Sequence, residues 1–418
     1  MSKLPPAFTR FILASGATNL ADGIAVVAWA WVATLLTRDP LLVALMPVAL
    51  RLPWALCAIP AGIITDRVDR RRLILRMDLL RGVAFALAAL ALWLALPLAD
   101  APARGTSSPP LFLLLMTCAS LVGLAEVFRD NAAQTMMPAI VPADSLEQAN
   151  GRLWSVELIG NALVGPALGA VLIATSLPLP FALNAAAYLV AVLLVARLAG
   201  SFRPARPQLA DWKAELKEGA QFLWSSPLLK TLALLTGFWN LLFQVKSIAL
   251  VLHVQENYGI GATGYGLILS GAAVGGILGG ICAPWIIARL GPGRTAQVML
   301  AVTPVAFFAI ALAPGPVSLG LVLIAFEFSG LVWNTVSVSY RQRTIPDALL
   351  GRVNSLYRLL AWGMMPIGLV LSGVIVRTAE TQIPREFALT APLYAAALGG
   401  LVLAVMGWRA LGRGFASV

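Results

Sequence analysis

The sequence predicts an all-α membrane protein in which twelve transmembrane helices form two pseudo-symmetric six-helix bundles. Of its 418 residues, 59% are hydrophobic and only 12% are charged, whereas soluble domains carry about 25% charged residues. The chain also contains a series of apolar runs that are long enough to cross a bilayer core of about 30 Å as helices. Finally, a short motif in the first half recurs in the second, which indicates an internal repeat.

The apolar runs are separated by short segments rich in proline, glycine or charge. These boundaries predict spans, in chain order, at residues 9–36, 41–64, 73–97, 110–137, 153–176, 180–199, 228–253, 264–288, 295–314, 317–341, 353–376 and 388–410. An even number of spans places both ends of the chain on one side of the membrane.

Basic residues are distributed unequally between the two sets of connecting loops. One set, which includes the termini, holds the cluster between Arg67 and Arg76 and most of the other lysines and arginines, whereas the opposite loops hold only Arg38, Arg104, Arg377 and Arg385. Because positively charged loops stay in the cytoplasm, we expect a multi-pass protein of the inner (plasma) membrane with both termini cytoplasmic.

The internal repeat divides the chain. Its two copies are related by a constant offset of 204 residues: Val141, Pro142, Leu146, Ala149 and Asn150 match Ile345, Pro346, Leu350, Val353 and Asn354. The longest polar segment lies between them, and its hydrophobic residues recur at roughly helical spacing, which predicts an amphipathic helix on the inner leaflet. We therefore expect bundles at 1–200 and 228–418, joined by a cytoplasmic linker at 201–227.

Several classes of protein are disfavoured. Cys57, Cys118 and Cys282 lie inside apolar runs and lack the spacing of a disulfide framework or a metal site. The basic residues are not interleaved with aromatic residues in one patch, so we expect no nucleic-acid partner. With a single histidine, short loops and no phosphate-binding loop ending in Lys-Ser or Lys-Thr, we expect no enzyme, no metal and no cofactor.

The loop between the second and third spans is rich in arginine. It reads Gly62-Ile-Ile-Thr-Asp66-Arg67-Val-Asp69-Arg70-Arg71-Arg72. This segment resembles the signature loop of the major facilitator superfamily through Gly62, Asp66, Arg67, Arg70 and Arg71. The resemblance implies that these residues stabilise the closed cytoplasmic gate, and we expect Arg129 and Asp130 to pair with the Arg70–Arg71 loop.

Further segments narrow the resemblance to one branch of that superfamily. Four segments look like those of the branch of bacterial macrolide and siderophore exporters. They are Phe128-Arg129-Asp130-Asn131, Met137-Pro138, Leu146-Glu-Gln-Ala149-Asn150-Gly151-Arg152 and Gly165-Pro166-Ala-Leu-Gly169. The resemblance implies rocking of two bundles about a midplane site.

Gly165, Pro166 and Gly169 resemble the Gly-Pro element of export-directed antiporters, although helix packing explains the same residues about equally well.

Charged residues inside spans are costly, so they mark candidate functional sites. We expect Asp22 and Glu126 to carry the coupling protons. Arg51 lies near the depth of Asp22 and is its expected charge partner; if that pair is permanent, Asp22 is instead a structural lock. A static ion pair is also the alternative for Glu126.

Polar residues of the seventh and tenth spans, together with Asn19 of the first, are expected to line a substrate cavity. Flat aromatic surface beside a few donors and acceptors suits an amphipathic organic compound. The candidates are Asn19, Asn240, Gln244, Glu327, Trp333 and Asn334.

These observations predict a secondary active transporter that exports hydrophobic or amphipathic small molecules, drug-like compounds or siderophores, by proton antiport with alternating access. The alternatives are an importer or facilitator of the same fold for a small organic solute, and a transport-inactive membrane sensor. The expected partners are the small-molecule substrate, protons and membrane lipid, and we expect a monomer.

Overall fold

The computed structural model describes residues 5–65, 67–142, 145–200, 202–203 and 212–416. Within these ranges, twelve helices are long and apolar enough to cross a membrane. This confirms the predicted all-α membrane fold. Asp66, a predicted gate residue, lies outside the described residues.

The first six spans are built from α1 to α7. The fifth span is composite, because a π-helical segment at Leu158–Val164 separates α5 from α6. The bounds are α1 Pro6–Leu36, α2 Pro40–Thr65, α3 Arg70–Ala95, α4 Pro109–Ile140, α5 Leu146–Glu157, α6 Gly165–Thr175 and α7 Leu179–Ala196.

The remaining helices are α8 to α16. In this half, α8 lies in the predicted linker, and α13 and α14 together form the eleventh span. The bounds are α8 Trp212–Ser225, α9 Pro227–Glu256, α10 Ala262–Leu290, α11 Pro292–Ala311, α12 Pro316–Thr344, α13 Asp347–Gly363, α14 Met365–Ala379, α15 Arg385–Ala388 and α16 Ala391–Ala416.

Proline residues define where many of the helices begin. A proline occupies one of the first two positions of α1, α4, α6, α7, α9, α11, α12 and α14. Proline suits these positions because its φ angle is already helical and because an N–H at a helix start has no partner within the helix.

The contacts divide the chain into two compact units. The first unit comprises Met1–Arg38, Leu45–Leu209 and Gly261–Ser270, and the second comprises Asp39–Ala44, Ala210–Ile260 and Gly271–Val418. Each unit has its own buried core, and the two units are described separately.

An aromatic core holds the first unit together. The Trp29 ring on α1 meets the Phe181 ring of α7 edge-on at 4.8 Å between centroids, and the Phe85 ring of α3 stacks on Tyr188 of α7 at 5.6 Å. All four side chains are almost completely buried. These contacts fix α1, α3 and α7 relative to one another, which positions the charged residues described below.

Glycines let helices of the second unit approach closely. A Cβ atom on Gly368 of α14 would lie 2.2 Å from the carbonyl oxygen of Leu241 on α9, and one on Gly237 of α9 would lie 2.9 Å from that of Leu360 on α13. Small residues at such crossings are a common way to pack helices in lipid. In this way α9, which carries several polar side chains, packs firmly against α13 and α14.

The linker helix α8 packs on α13 and α9 of the second unit. Leu223 is buried, a Cβ atom on Gly219 would lie 3.1 Å from Cβ of Arg352, and Glu218 accepts a hydrogen bond of 2.5 Å from Arg352. The helix therefore contacts protein through one face.

Candidate functional site

A network of charged side chains crosses the first unit. Among the described residues, ion pairs of up to 4.0 Å join carboxylates and guanidinium groups of α1 to α4 in two sets, one around Arg81 and one around Arg129. The two sets are adjacent because Asp78 and Arg81 share one face of α3. The members of the network are Asp22, Arg51, Asp78, Arg81, Glu126, Arg129 and Asp130. We refer to these seven residues as the charge network.

Arg81 is the centre of the network. Its side chain is 1% exposed and donates a hydrogen bond to Oδ1 of Asp22. The same guanidinium lies 4.0 Å from Oε2 of Glu126 and 4.4 Å from the centre of the Tyr188 ring. Tyr188 also donates a hydrogen bond of 2.5 Å to Asp22. Arg81 thus contacts both predicted proton carriers, whose side chains are each 23% exposed.

The predicted pairing of Arg51 with Asp22 is wrong. The partner of Asp22 is Arg81, whereas Nη1 of Arg51 lies 3.9 Å from Oε1 of Glu126. The prediction used only the position of each residue along its span. In the structure, the Arg81 side chain on α3 is buried against α1, whereas the Arg51 side chain on α2 is 44% exposed.

The predicted pairing of Arg129 and Asp130 with the Arg70–Arg71 loop is also wrong. Arg129 is turned into the first unit, where Nε lies 3.5 Å from Oδ1 of Asp78 and Nη2 donates a hydrogen bond of 3.1 Å to Thr18. Asp130 contacts Nη1 of Arg129 at 3.3 Å. Arg129 is buried, and a buried charge needs a partner, which Asp78 supplies.

The arginines of the signature loop bind helix ends instead. Arg70 donates to the carbonyl of Thr135 at 2.9 Å, near the end of α4, and Arg71 donates to the carbonyl of Leu198 at 2.5 Å, just after α7. Basic side chains suit such positions because the last carbonyls of a helix have no partner within it. The other predicted gate residues are placed at the end of α2, which contains Gly62, and in the turn after it, which contains Arg67.

The predicted Gly-Pro element packs against α1 beside Asp22. A Cβ atom on Gly165 would lie 2.5 Å from Cα of Gly23, and one on Gly169 would lie 2.7 Å from the carbonyl oxygen of Ile24. Pro166 follows the π-helical segment and lacks an N–H, so it cannot donate in the next helical turn. These three residues therefore set how closely the fifth span approaches Asp22.

The second unit contains a different polar site. The ammonium group of Lys246 on α9 lies 4.0 Å from Oε1 of Glu327 on α12, and it lies 4.0 Å and 4.7 Å from the ring centres of Phe243 and Phe326. Trp239 stacks on both phenylalanines, with centroids 5.4 Å and 5.6 Å apart. The Lys246 side chain is 5% exposed and that of Glu327 is 25% exposed, so the carboxylate is the more accessible charge.

The other predicted cavity residues have local partners. Asn19 donates to the Ser15 carbonyl at 2.8 Å in the first unit. In the second unit, Asn240 donates to the Ala361 carbonyl at 3.0 Å, and Trp333 donates to Thr236 at 3.4 Å.

Two further polar residues of the second unit complete the predicted set. Gln244 accepts from Ser247 at 3.1 Å, and Asn334 is exposed. The structure thus places five of the six candidates in the second unit and Asn19 in the first.

The repeat register explains why the charge network is confined to the first unit. The helices α4 and α12 end at Ile140 and Thr344, which are separated by the same 204 residues as the two copies of the sequence repeat. The same offset aligns Glu126, Arg129 and Asp130 with Gly330, Trp333 and Asn334. The second unit therefore has neutral or aromatic residues at the positions where the first unit is charged.

Sequence reasoning missed Asp78, Arg81 and Tyr188. Asp78 and Arg81 are three residues apart on α3, so they share one helix face, and both are fully buried. Their position inside the third apolar run was a usable signal, because ionisable residues within spans are candidate functional residues. Tyr188 carries no such signal, since a single tyrosine in a span is more often a packing residue.

Comparison with known proteins gives relatives along the whole chain. The multidrug efflux pump Tap of Mycolicibacterium fortuitum is 28% identical over 386 residues, which cover 88% of each chain. The enterobactin exporter EntS of Escherichia coli O1:K1 / APEC is 27% identical over 305 residues, 71% of this chain and 67% of the relative. A bacterial homologue of the iron transporter ferroportin, solved in an inward-facing state, has the same fold with a TM-score of 0.76 at 17% identity, covering 99% of this chain and 100% of that one.

The family model for transmembrane secretion effectors, a group of the major facilitator superfamily, matches residues 5–411. That range contains the charge network, the signature loop and the Lys246–Glu327 site. It confirms the resemblance found in the sequence and identifies a transporter of small molecules. The chain therefore belongs to the transmembrane secretion effector family of major facilitator transporters.

Proposed function

We propose that the protein exports hydrophobic or amphipathic organic molecules across the inner membrane in exchange for protons, by alternating access of the six-helix halves at 1–200 and 228–418. The names of two relatives, a multidrug efflux pump and an enterobactin exporter, support export of this class of substrate. In the proposal the protein works as a monomer surrounded by lipid, and both termini are cytoplasmic.

The observation that carries the proposal is the environment of Glu126. Its carboxylate is partly exposed, and its ion pairs to Arg51 and Arg81 are long, at 3.9 Å and 4.0 Å. Because both ion pairs are long, Glu126 loses little electrostatic attraction to the two arginines when it binds a proton. Asp22 shares Arg81 with Glu126, so protonation of one carboxylate leaves the guanidinium to the other.

The second unit supplies the proposed substrate surface. Three stacked rings beside a partly exposed carboxylate provide flat apolar area and one charge, a combination that suits amphipathic organic molecules. In this arrangement Glu327, Asn240, Gln244, Trp333 and Asn334 contact substrate from the second unit. Asn19 belongs to the first unit and lies one helical turn before Asp22.

The signature loop is proposed to hold the cytoplasmic side closed. Arg70 and Arg71 bind the ends of α4 and α7, which stiffens the loop that carries Gly62, Asp66 and Arg67. Arg129 and Asp130 contribute by tying α4 to α3 and α1 within the first unit. Gly165, Pro166 and Gly169 are proposed to preserve the close approach to α1 during export.

The test is Glu126→Gln in oriented proteoliposomes loaded with a fluorescent amphipathic dye. In the parent protein an imposed pH gradient should drive dye movement in the export direction, whereas the variant should show no acceleration by the gradient. Glu386→Gln, which changes an exposed carboxyl of α15, is the matched control and should behave as the parent. Gradient-driven export that survives Glu126→Gln would remove this residue from the coupling, and movement only in the import direction would contradict export.

A further inference from the structure

Asp78 is the most enclosed carboxyl of the charge network. It lies two turns into α3, its side chain is 0% exposed, and neither Oδ1 nor Oδ2 has a hydrogen-bond partner. Its ion pair is with Nε of Arg129 at 3.5 Å, which is beyond a good hydrogen bond. The Nε atoms of Arg81 and Arg129 are also buried without a hydrogen-bond partner.

An ionised carboxylate in such a place is unfavourable. Burying a charge without hydrogen bonds costs far more than burying a neutral polar group, and buried ionisable groups commonly become neutral for that reason. Asp22 is in a different position, because it accepts hydrogen bonds from both Arg81 and Tyr188. Asp22 therefore accepts two hydrogen bonds, whereas Asp78 accepts none.

The number of charges in the network also indicates that one of its carboxyls binds a proton. The seven residues are four carboxylates and three guanidinium groups, so full ionisation leaves one excess negative charge. One bound proton makes the network neutral. The charged and titratable groups that face Asp78 from its own helix and from the helices packed around it are Arg81, Arg129, Asp130, Asp22 and Tyr188.

Only two carboxyls are suited to hold this proton. Asp22 is held by two hydrogen bonds, and the Asp130 side chain is 33% exposed, so that water can solvate its charge. Glu126 and Asp78 remain. We propose that Asp78 is a second proton-binding carboxyl, which shares the excess proton of the charge network with Glu126.

This assignment extends the proposed function, because it gives the proton a site at Asp78 on α3 as well as at Glu126 on α4. Asp130 and Asp78 pair with Arg129, Glu126 pairs with Arg81, and Asp78 and Arg81 lie three residues apart on one face of α3. The use of Asp78 in transport rests on the proposed function, but proton binding at Asp78 does not. The two can therefore be tested separately.

Infrared spectroscopy of the intact protein in lipid nanodiscs measures the proton directly. A protonated carboxyl has a carbonyl stretching band that is lost on ionisation, and a group without hydrogen bonds absorbs at the high-frequency end of the range. The wild-type protein should show such a band that declines as the pH is raised from mildly acidic to alkaline. Uniform ¹³C-aspartate labelling should shift one component of the band, and ¹³C-glutamate labelling should shift another.

Variants assign the aspartate component. Asp78→Asn should abolish it, whereas Asp100→Asn, which removes an exposed aspartate outside the charge network, should retain it. An aspartate component that survives Asp78→Asn, or that is absent from the labelled wild-type protein, would overturn the assignment. The labelling arm uses the unmodified chain, so it decides the question even if Asp78→Asn does not fold. None of these readouts depends on transport, so failure of the export assay leaves them interpretable.

Discussion

The guanidinium of Arg81 donates a hydrogen bond to the carboxylate of Asp22, which joins α3 to α1 inside the first unit. Arg81 also lies within 4.0 Å of Glu126 and over the ring of Tyr188. One almost fully buried cation is therefore shared by two carboxylates and one aromatic face. Any change in the protonation of one carboxylate must alter how strongly Arg81 attracts the other.

The first prediction concerns Arg81 itself. Arg81→Gln removes the buried cation and leaves Asp22 without its principal partner, and breaking a buried pair from one side typically costs about 3–5 kcal/mol. We expect a large decrease in the thermal unfolding temperature of the detergent-solubilised protein and loss of dye export. Arg51→Gln should have a much smaller effect on stability, because the Arg51 side chain is 44% exposed.

A double variant separates the lost pair from a general packing defect. In Asp22→Asn/Arg81→Gln neither charge remains, so part of the stability lost in Arg81→Gln should return. If the double variant is less stable than Arg81→Gln alone, or if Arg51→Gln is the more damaging single change, the assignment of Arg81 as the partner of Asp22 is incorrect.

The second prediction uses Tyr188→Phe, which removes one hydroxyl and keeps the ring stacked on Phe85. A hydrogen bond to a charged group contributes about 1.5–3 kcal/mol, and the bond from Tyr188 favours ionised Asp22. Without this bond, Arg81 alone compensates the charge of Asp22, so we expect the pH profile of export to shift and the unfolding temperature to fall.

Tyr340→Phe is the matched control for this change. Tyr340 is also buried, and its ring meets Phe415 edge-on at 5.4 Å. Its hydroxyl does not bond to the charge network, so the pH profile of export should be unaltered. Equal shifts in both variants would show that the Tyr188 hydroxyl does not act through Asp22.

The twelve spans could be predicted from the sequence because bilayer thickness and hydropathy fix them locally. The ends of α4 and α12 could be found for a similar reason, since each precedes a matching proline motif. The ion pairs could not be predicted in this way. Whether Arg51 or Arg81 reaches Asp22 depends on how α2 and α3 rotate about their axes, and that rotation is set by contacts such as Phe85 on Tyr188 that are remote in sequence.

The third prediction concerns the close approach of the fifth span to α1. Gly169→Ala places a methyl group 2.7 Å from the carbonyl oxygen of Ile24, which forces the two backbones apart. Overpacking of this kind typically costs about 1–3 kcal/mol. We expect a lower unfolding temperature and reduced export, because Asp22 lies two residues before Ile24.

Gly151→Ala is the appropriate comparison, since Gly151 is exposed within α5 and a Cβ atom there meets nothing within 4 Å. Replacing glycine by alanine inside a helix without a clash favours the helix by up to about 1 kcal/mol. The same chemical change should thus have opposite effects on stability at the two positions. Equal effects would indicate that Gly169 does not set the approach of the two helices.

The last prediction concerns the Lys246–Glu327 site. Lys246 is almost fully enclosed by Phe243, Phe326 and Glu327, whereas the Glu327 side chain is 25% exposed. A ligand that reaches this site meets the carboxylate before the ammonium group, so Glu327 should attract cationic amphipathic molecules and repel anionic ones. Glu327→Gln should therefore weaken binding of a cationic dye by about tenfold, the equivalent of a modest charge interaction near 1.4 kcal/mol, and should leave an anionic dye bound equally well or better.

Lys246→Gln should act differently, because it leaves Glu327 without its cation. The carboxylate then gains attraction for a cationic dye, but the protein loses the cation–π contacts of Lys246 and becomes less stable. Fluorescence titration of both variants with both dyes, alongside Glu386→Gln, measures these changes. Weaker binding of the anionic dye in Glu327→Gln, or unchanged binding of the cationic dye, would mean that substrates do not meet the charge of Glu327, and the proposed surface would then have to lie elsewhere in the second unit.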